Sequence, residues 1–188
     1  MIDIPCVILA GGKSSRMGED KSLLPFDNHQ TLIEYQYNKL SKIFSKVYIS
    51  AKSNKFNFKC NIIYDITNYI SSPMIALSSI FEFIKEDNIF IITVDTPLIK
   101  EETILDILNN SKPYDITIAE DSEKKHYLCG VFSKKIYLSI QQCISNDIHK
   151  INYLIKNTKK LNIIKFGNKN QFTNINTPSE YQNAQKLI

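Results

Sequence analysis

The stretch Pro5-Cys6-Val7-Ile8-Leu9-Ala10-Gly11-Gly12-Lys13-Ser14-Ser15-Arg16-Met17-Gly18-Glu19-Asp20-Lys21 joins an apolar run to a glycine turn and then to a basic loop. It holds three of the chain's five glycines. A continuous apolar run that stops at Gly-Gly reads as a buried strand leaving a sheet, the usual start of a polyanion site in an α/β protein. Glycine lets the backbone approach a phosphate closely and adopt positive φ without a Cβ clash. The exposed N–H groups form an anion-binding concavity, and Lys13, Arg16 and Lys21 place positive charge around it. Two readings stand on these residues: a turn that serves only the fold, and a loop that cradles a nucleoside triphosphate or a similarly charged ligand. The spacing is neither Gly-x-x-x-x-Gly-Lys-Ser/Thr nor Gly-x-Gly-x-x-Gly, which demotes the P-loop and dinucleotide classes.

Working outward, strand-like runs recur at 4–9, 46–51, 61–64, 89–94, 115–119, 127–133 and 162–166. Helical patterns lie between them. Residues 31–44 put Leu32, Tyr35, Leu40 and Ile43 near one face, and 74–84 repeat Leu77, Ile80, Phe81 and Ile84. Residues 101–108 open with two acids, which favour a helix N-terminus through its dipole. Alternation of this kind predicts a parallel sheet covered on both faces. Val7 to Leu9 and Ile89 to Ile92 read as central strands, and ligands of open α/β sheets collect at the carboxyl ends of such strands. Gly11 to Lys21 and Asp95-Thr96-Pro97 both sit at those ends.

The 188 residues suit one domain, 1–188, with no repeat, linker or Pro/Gly-rich boundary to divide them. A net charge of +4 with scattered lysines gives no basic patch, so nucleic-acid binding is not expected. The four cysteines are isolated at Cys6, Cys60, Cys129 and Cys143, without metal-ligand spacing. That usage suits a reducing compartment, and no stretch approaches membrane-spanning length, so the expectation is a cytoplasmic protein with no membrane partner. His29, His126 and His149 stand apart in polar surroundings and read as exposed rather than catalytic.

Asp95 follows Ile91-Ile92-Thr93-Val94, and Pro97 restricts the backbone just after it. A carboxylate there either caps a turn or ligates Mg²⁺, which takes a few protein oxygens together with waters and substrate phosphates. Asn174 and Asn176 before Pro178 carry a similar ambiguity, because Asn side chains commonly organise a turn.

Three segments together resemble nucleotidyltransferases that act on the molybdenum cofactor. They are Leu9-Ala10-Gly11-Gly12-x-Ser14-x-Arg16-Met17-Gly18-x-Asp20-Lys21, Val94-Asp95-Thr96-Pro97 and Asn174-Ile175-Asn176-Thr177-Pro178. The resemblance runs from the first strand to the last helix and is nearest to the molybdenum cofactor guanylyltransferase family. It implies a Rossmann-like three-layer α/β nucleotidyltransferase domain with a mostly parallel central sheet. The implied reaction transfers GMP from GTP to molybdenum-molybdopterin and releases pyrophosphate. The implied site is residue-specific: Leu9, Ala10, Gly11 and Gly12 hold GTP, Lys21 touches its phosphates, Asp65 contributes to the nucleotide site, and Asp95 holds Mg²⁺. Lys21 and Arg16 offset charge on the pyrophosphate, while Asn174 and Asn176 lie toward the pterin. Other molybdenum cofactor biosynthesis proteins and molybdoenzyme chaperones are the implied protein partners.

The chain departs from the family pattern at two places. Ser72-Pro73-Met74-Ile75-Ala76 stands where Gly-Pro-Leu-x-Gly is usual, and Lys52 stands where an asparagine is usual. Both changes bear on guanine against cytosine, because a pocket tells bases apart only through the hydrogen bonds it offers. A cytidylyltransferase for the same cofactor, another nucleotidyltransferase such as a sugar-nucleotide pyrophosphorylase, and a non-catalytic nucleotide-binding accessory protein are the alternatives.

Overall fold

A computed structural model describes residues 1–12, 16–67 and 72–188. Lys13, one of the three cations expected around the first loop, lies outside the described residues, as does Ser14. Seven strands form one sheet: β1 (Cys6–Leu9), β2 (Val47–Ala51), β3 (Ile62–Tyr64), β4 (Asn88–Thr93), β5 (Ile116–Glu120), β6 (Lys125–Ser133) and β7 (Leu161–Lys165). Among the described residues six α-helices accompany them: α1 (Leu32–Ser41), α2 (Pro73–Phe83), α3 (Glu101–Asn109), α4 (Tyr137–Ser145), α5 (Ile151–Asn157) and α6 (Pro178–Gln185).

The strand order is β3-β2-β1-β4-β6-β5-β7. After β1 the chain builds β2 and β3 on one side and then returns to place β4 on the other. The connection order therefore reverses between β1 and β4, and the crevice at such a reversal is where open α/β sheets bind ligands.

Side-chain alternation divides the sheet between two apolar layers. Cys6 and Ile8 of β1 with Phe90 and Ile92 of β4 pack on α1, α3 and α6 through Leu32, Leu40, Ile104, Ile107 and Ala184. Val7, Ile89 and Ile91 face the opposite way, toward Met74, Leu77 and Ile80 of α2, Ile140 of α4 and Leu154 of α5. The period-two pleat thus sorts a run such as Ile89-Phe90-Ile91-Ile92 onto both faces, giving the three layers.

The sheet is not wholly parallel. β6 runs antiparallel to both β4 and β5, while the other pairings are parallel. Only residues 121–124 separate β5 from β6, too short a link for a parallel crossover. Asp121 organises that turn, its Oδ1 accepting from the N–H groups of Glu123 and Lys124 at 2.7 and 2.8 Å.

His126 departs from the sequence expectation. It is 7% exposed, its Nε2 lies 2.9 Å from Asp121 Oδ2, and its ring stacks on Phe172 at a centroid distance of 4.4 Å. Burial holds its pKa below the usual value even though Asp121 pulls the other way. A ring sitting in apolar surroundings beside one acceptor is a structural histidine, hidden from the sequence because its partners are Asp121 and the distant Phe172.

Candidate active site

β1 and β4 are hydrogen-bonded neighbours in parallel register, with Leu9 beside Thr93. Their carboxyl ends therefore deliver Ala10-Gly11-Gly12 and Val94-Asp95-Thr96 to the same place. A cleft of about 450 Å³ opens there, lined by Leu9, Gly11, Gly12, Lys21, Asp65, Ser72 and Asp95 among others. A second hollow of about 360 Å³ shares Gly11 and Gly12 with it and adds Ala10, Asp20, Lys52 and Lys55. Leu9, Ala10, Gly11, Gly12, Lys21, Asp65 and Asp95, seven expected nucleotide-site residues, thus line one pair of adjoining hollows.

At the polar end Lys21 is the hub. It is 9% exposed, and its Nζ donates to Asp95 Oδ2 at 2.9 Å, Ile175 O at 3.0 Å and Asn176 Oδ1 at 2.9 Å. A buried ammonium is tolerated only when its donors are met, and three oxygens from two distant segments meet them here. Asp95 is held from its other side: Thr93 Oγ1 donates to Oδ1, and Thr96 Oγ1 lies 3.4 Å from the same atom. The carboxylate therefore points into the cleft because both neighbouring threonines and Lys21 fix it.

The backbone under Asp95 is braced by α1. Gln36 Nε2 donates to Thr93 O at 3.1 Å, and Lys39 Nζ donates to Pro97 O at 2.8 Å and Ile99 O at 2.6 Å. Burial pushes the Lys39 pKa down to about 8. From the other end of the chain, Ile175 N donates to Asp95 O at 2.9 Å, and Thr96 Oγ1 donates to Asn174 Oδ1 at 3.3 Å. Asn174 and Asn176 thus reach across to β4 and Lys21, and the local-turn reading of these two side chains does not hold. The start of α6 is capped instead by Thr177, which accepts from Glu180 N at 3.3 Å.

Asp65 stands at the end of β3, where its Oδ1 accepts from Ser50 Oγ at 3.3 Å. Burial raises its pKa, with the Ser50 hydrogen bond and the charge of Lys52 opposing the rise. Asp20 makes an ion pair with Lys55, whose Nζ also lies 3.4 Å from Ala10 O. Burial pushes the Asp20 carboxyl up, but hydrogen bonds from Lys55 and Ser22 outweigh it and leave the pKa lowered. Arg16 is exposed, and no contact joins it to the Lys21–Asp95 group among the described residues.

The glycines behave differently from expectation. Of the three in the first loop only Gly18 has positive φ, +78°. Among the described residues a Cβ on Gly12 would meet nothing within 4 Å, and one on Gly11 only Asp65 Oδ2 at 3.7 Å. Nothing among those residues crowds either glycine, which leaves space beside them open to a ligand.

Thr93, Thr96, Gln36, Lys39, Lys55 and His149 were not among the expected site residues. Gln36, Lys39, Lys55 and His149 contribute contacts over long sequence separations, while Thr93 and Thr96, two and one positions from Asp95, left a local trace.

A family model described as the MobA-like NTP transferase domain matches residues 6–161. A molybdenum cofactor guanylyltransferase from Campylobacter jejuni subsp. doylei is 39% identical over 182 residues, covering 96% of this chain and 94% of that protein. One from Helicobacter pylori is 31% identical over 191 residues, covering 99% and 94%. Among solved structures, a molybdopterin-guanine dinucleotide biosynthesis protein A from Archaeoglobus fulgidus superposes with a TM-score of 0.80 at 16% identity, covering 98% of both chains.

Proposed function

Because the chain belongs to the MobA-like NTP transferase family, we propose that it transfers GMP from GTP to molybdenum-molybdopterin, with pyrophosphate as the second product. The observation that carries this reading is the convergence of Gly11, Gly12, Lys21 and Asp95 on one cleft at the β1/β4 reversal.

A terminal phosphate oxygen of molybdopterin attacks the α-phosphorus of GTP, and the bond to pyrophosphate breaks. No protein nucleophile is required, so the chain's task is to position two anions and offset their charge. The Leu9 to Gly12 backbone takes the nucleotide where the absence of Cβ atoms leaves room. Lys21, anchored between Asp95 and Asn176, sits where a triphosphate and the pterin phosphate meet, and exposed Arg16 adds charge from the loop. Asp65 closes the nucleotide side of the cleft. Asn176, a partner of Lys21, and Asn174, a partner of Thr96, face the pterin.

The donor set fits Mg²⁺. Asp95 and Asp65 are carboxylates that line the cleft, and an ion shared with waters and substrate phosphates needs only one or two from the protein. Asp95 would hold it. Bound there, Mg²⁺ supplies charge neutralisation for the phosphates.

The test is pyrophosphate release from GTP with molybdenum-molybdopterin and Mg²⁺, alongside competition between GTP and CTP for the cleft. Release with GTP and a preference for GTP support the reading. Equal or better competition by CTP replaces it with cytidylyl transfer, and nucleotide binding without release with either nucleotide replaces it with an accessory binding role.

A further inference from the structure

Ser72 lines the cleft at the head of α2, near Pro73, Ala76 and Leu128 and on the sheet face opposite the braces of α1. Its hydroxyl is engaged twice. Ser72 Oγ accepts from Ile75 N at 3.2 Å as the cap of α2, and it lies 3.2 Å from Nδ1 of His149. His149 comes from the loop between α4 and α5, where its Nε2 lies 3.0 Å from Asp147 Oδ1 and Asp147 takes a left-handed φ of +57°.

Asp147 Oδ1 only accepts, so it favours the His149 tautomer whose hydrogen is on Nε2, and in that tautomer Nδ1 is an acceptor. The Ser72 O–H therefore donates to His149. A hydroxyl has one hydrogen and two lone pairs. With the hydrogen given to His149 and one lone pair to Ile75 N–H, what Ser72 can show the cleft is an acceptor and not a donor.

We infer that His149 is a positioning residue for base specificity, holding Ser72 Oγ as an acceptor for the N1–H or 2-amino hydrogen of guanine. The inference rests on the reading of this cleft as a GTP site. It assigns the base to the end lined by Pro73, Ala76 and Leu128, away from the Lys21–Asp95 end. Adenine offers a sharp contrast, since it has the same purine frame but carries a bare acceptor at N1 and no 2-amino group.

The experiment is calorimetric binding of GTP, ATP and inorganic tripolyphosphate to the full chain. Wild type is compared with Ser72→Ala, His149→Phe, His149→Gln and the Ser72→Ala/His149→Phe pair, with folding checked by thermal melts. We expect Ser72→Ala and His149→Phe each to cut the GTP-over-ATP preference about tenfold, the scale of one lost buried hydrogen bond. Tripolyphosphate affinity should stay unchanged, the double variant should be no worse than either single one, and His149→Gln, whose amide oxygen can accept from Ser72, should recover part of the preference. An unchanged preference in folded His149→Phe, or equal losses for GTP, ATP and tripolyphosphate, overturns the inference while leaving the GTP site standing. Wild type that binds none of the three ligands overturns the site itself.

Discussion

At the scale of single residues, Asp95 and Lys21 separate charge chemistry from folding. Asp95→Asn keeps its one oxygen for Lys21, and its amide N–H can donate to the threonine hydroxyls, which rotate to accept, so the cleft should keep its shape. An amide is a poor ligand for a hard cation, and loss of one electrostatic stabiliser lowers transfer by roughly a hundredfold or more. Near-normal turnover in a folded Asp95→Asn protein would take Asp95 out of the chemistry. Lys21→Ala is expected to behave differently, because Lys21 also ties Ile175 and Asn176 to β4. It should lower triphosphate affinity far more than guanosine affinity and also lower the melting temperature. Equal weakening of both ligands in calorimetry would make Lys21 a structural tie alone. Gly12 is the reverse case: the described residues leave open space beside it. Gly12→Val should therefore leave stability within about 0.5 kcal/mol of wild type, as exposed loop changes commonly do. Its effect should appear in nucleotide affinity, and a variant that melts much earlier would contradict this.

At the scale of elements, the turn from β5 into β6 explains why the sheet is mixed and also where it is brittle. Gly130 of β6 lies so close to β5 that a Cβ would come within 2.0 Å of Thr117 O, next to the register shift between Ile118 and Ala119. The obstacle is backbone, which cannot rotate away. Gly130→Ala is expected to destabilise by about 1–3 kcal/mol, the range for overpacking, and to lower the melting temperature by several degrees in a chain of this size. A Gly130→Ala protein as stable as wild type would mean the two strands can part without cost. Helix α1 shows the other use of an element. Thr31 caps it, and its buried face carries Gln36 and Lys39 to the carbonyls below Asp95. The sequence pattern places this helix correctly through Leu32 and Leu40, but apolar periodicity has no means of marking Gln36 and Lys39 as braces.

At the scale of the whole molecule, buried titrating groups make stability depend on pH. The Lys39 pKa is about 8 in the fold against an ordinary 10.5. Between those values the unfolded chain binds the extra proton, so this group makes stability rise with pH through that window. In denaturant melts from pH 7 to 10, wild type should gain on Lys39→Met as pH rises; a constant difference would show that Lys39 is not desolvated. His126, with its pKa depressed by burial, contributes stability above the ordinary histidine range and loses it on acidification. The sequence by itself determined the seven strands, the helices with strong apolar periodicity, and the glycine loop and Asp95 as strand-end groups, because these depend on spacing along the chain. The short helices α4 and α5 escaped it, because neither opens with the acidic pair that marked the equally short α3. Tertiary structure alone decided that Asn176, 155 positions from Lys21, would meet its ammonium, that Thr96 would hold Asn174, and that His149 would stand behind Ser72. A hydrogen bond depends on distance and direction in space, and those exist only after the sheet has brought strand ends and chain ends together.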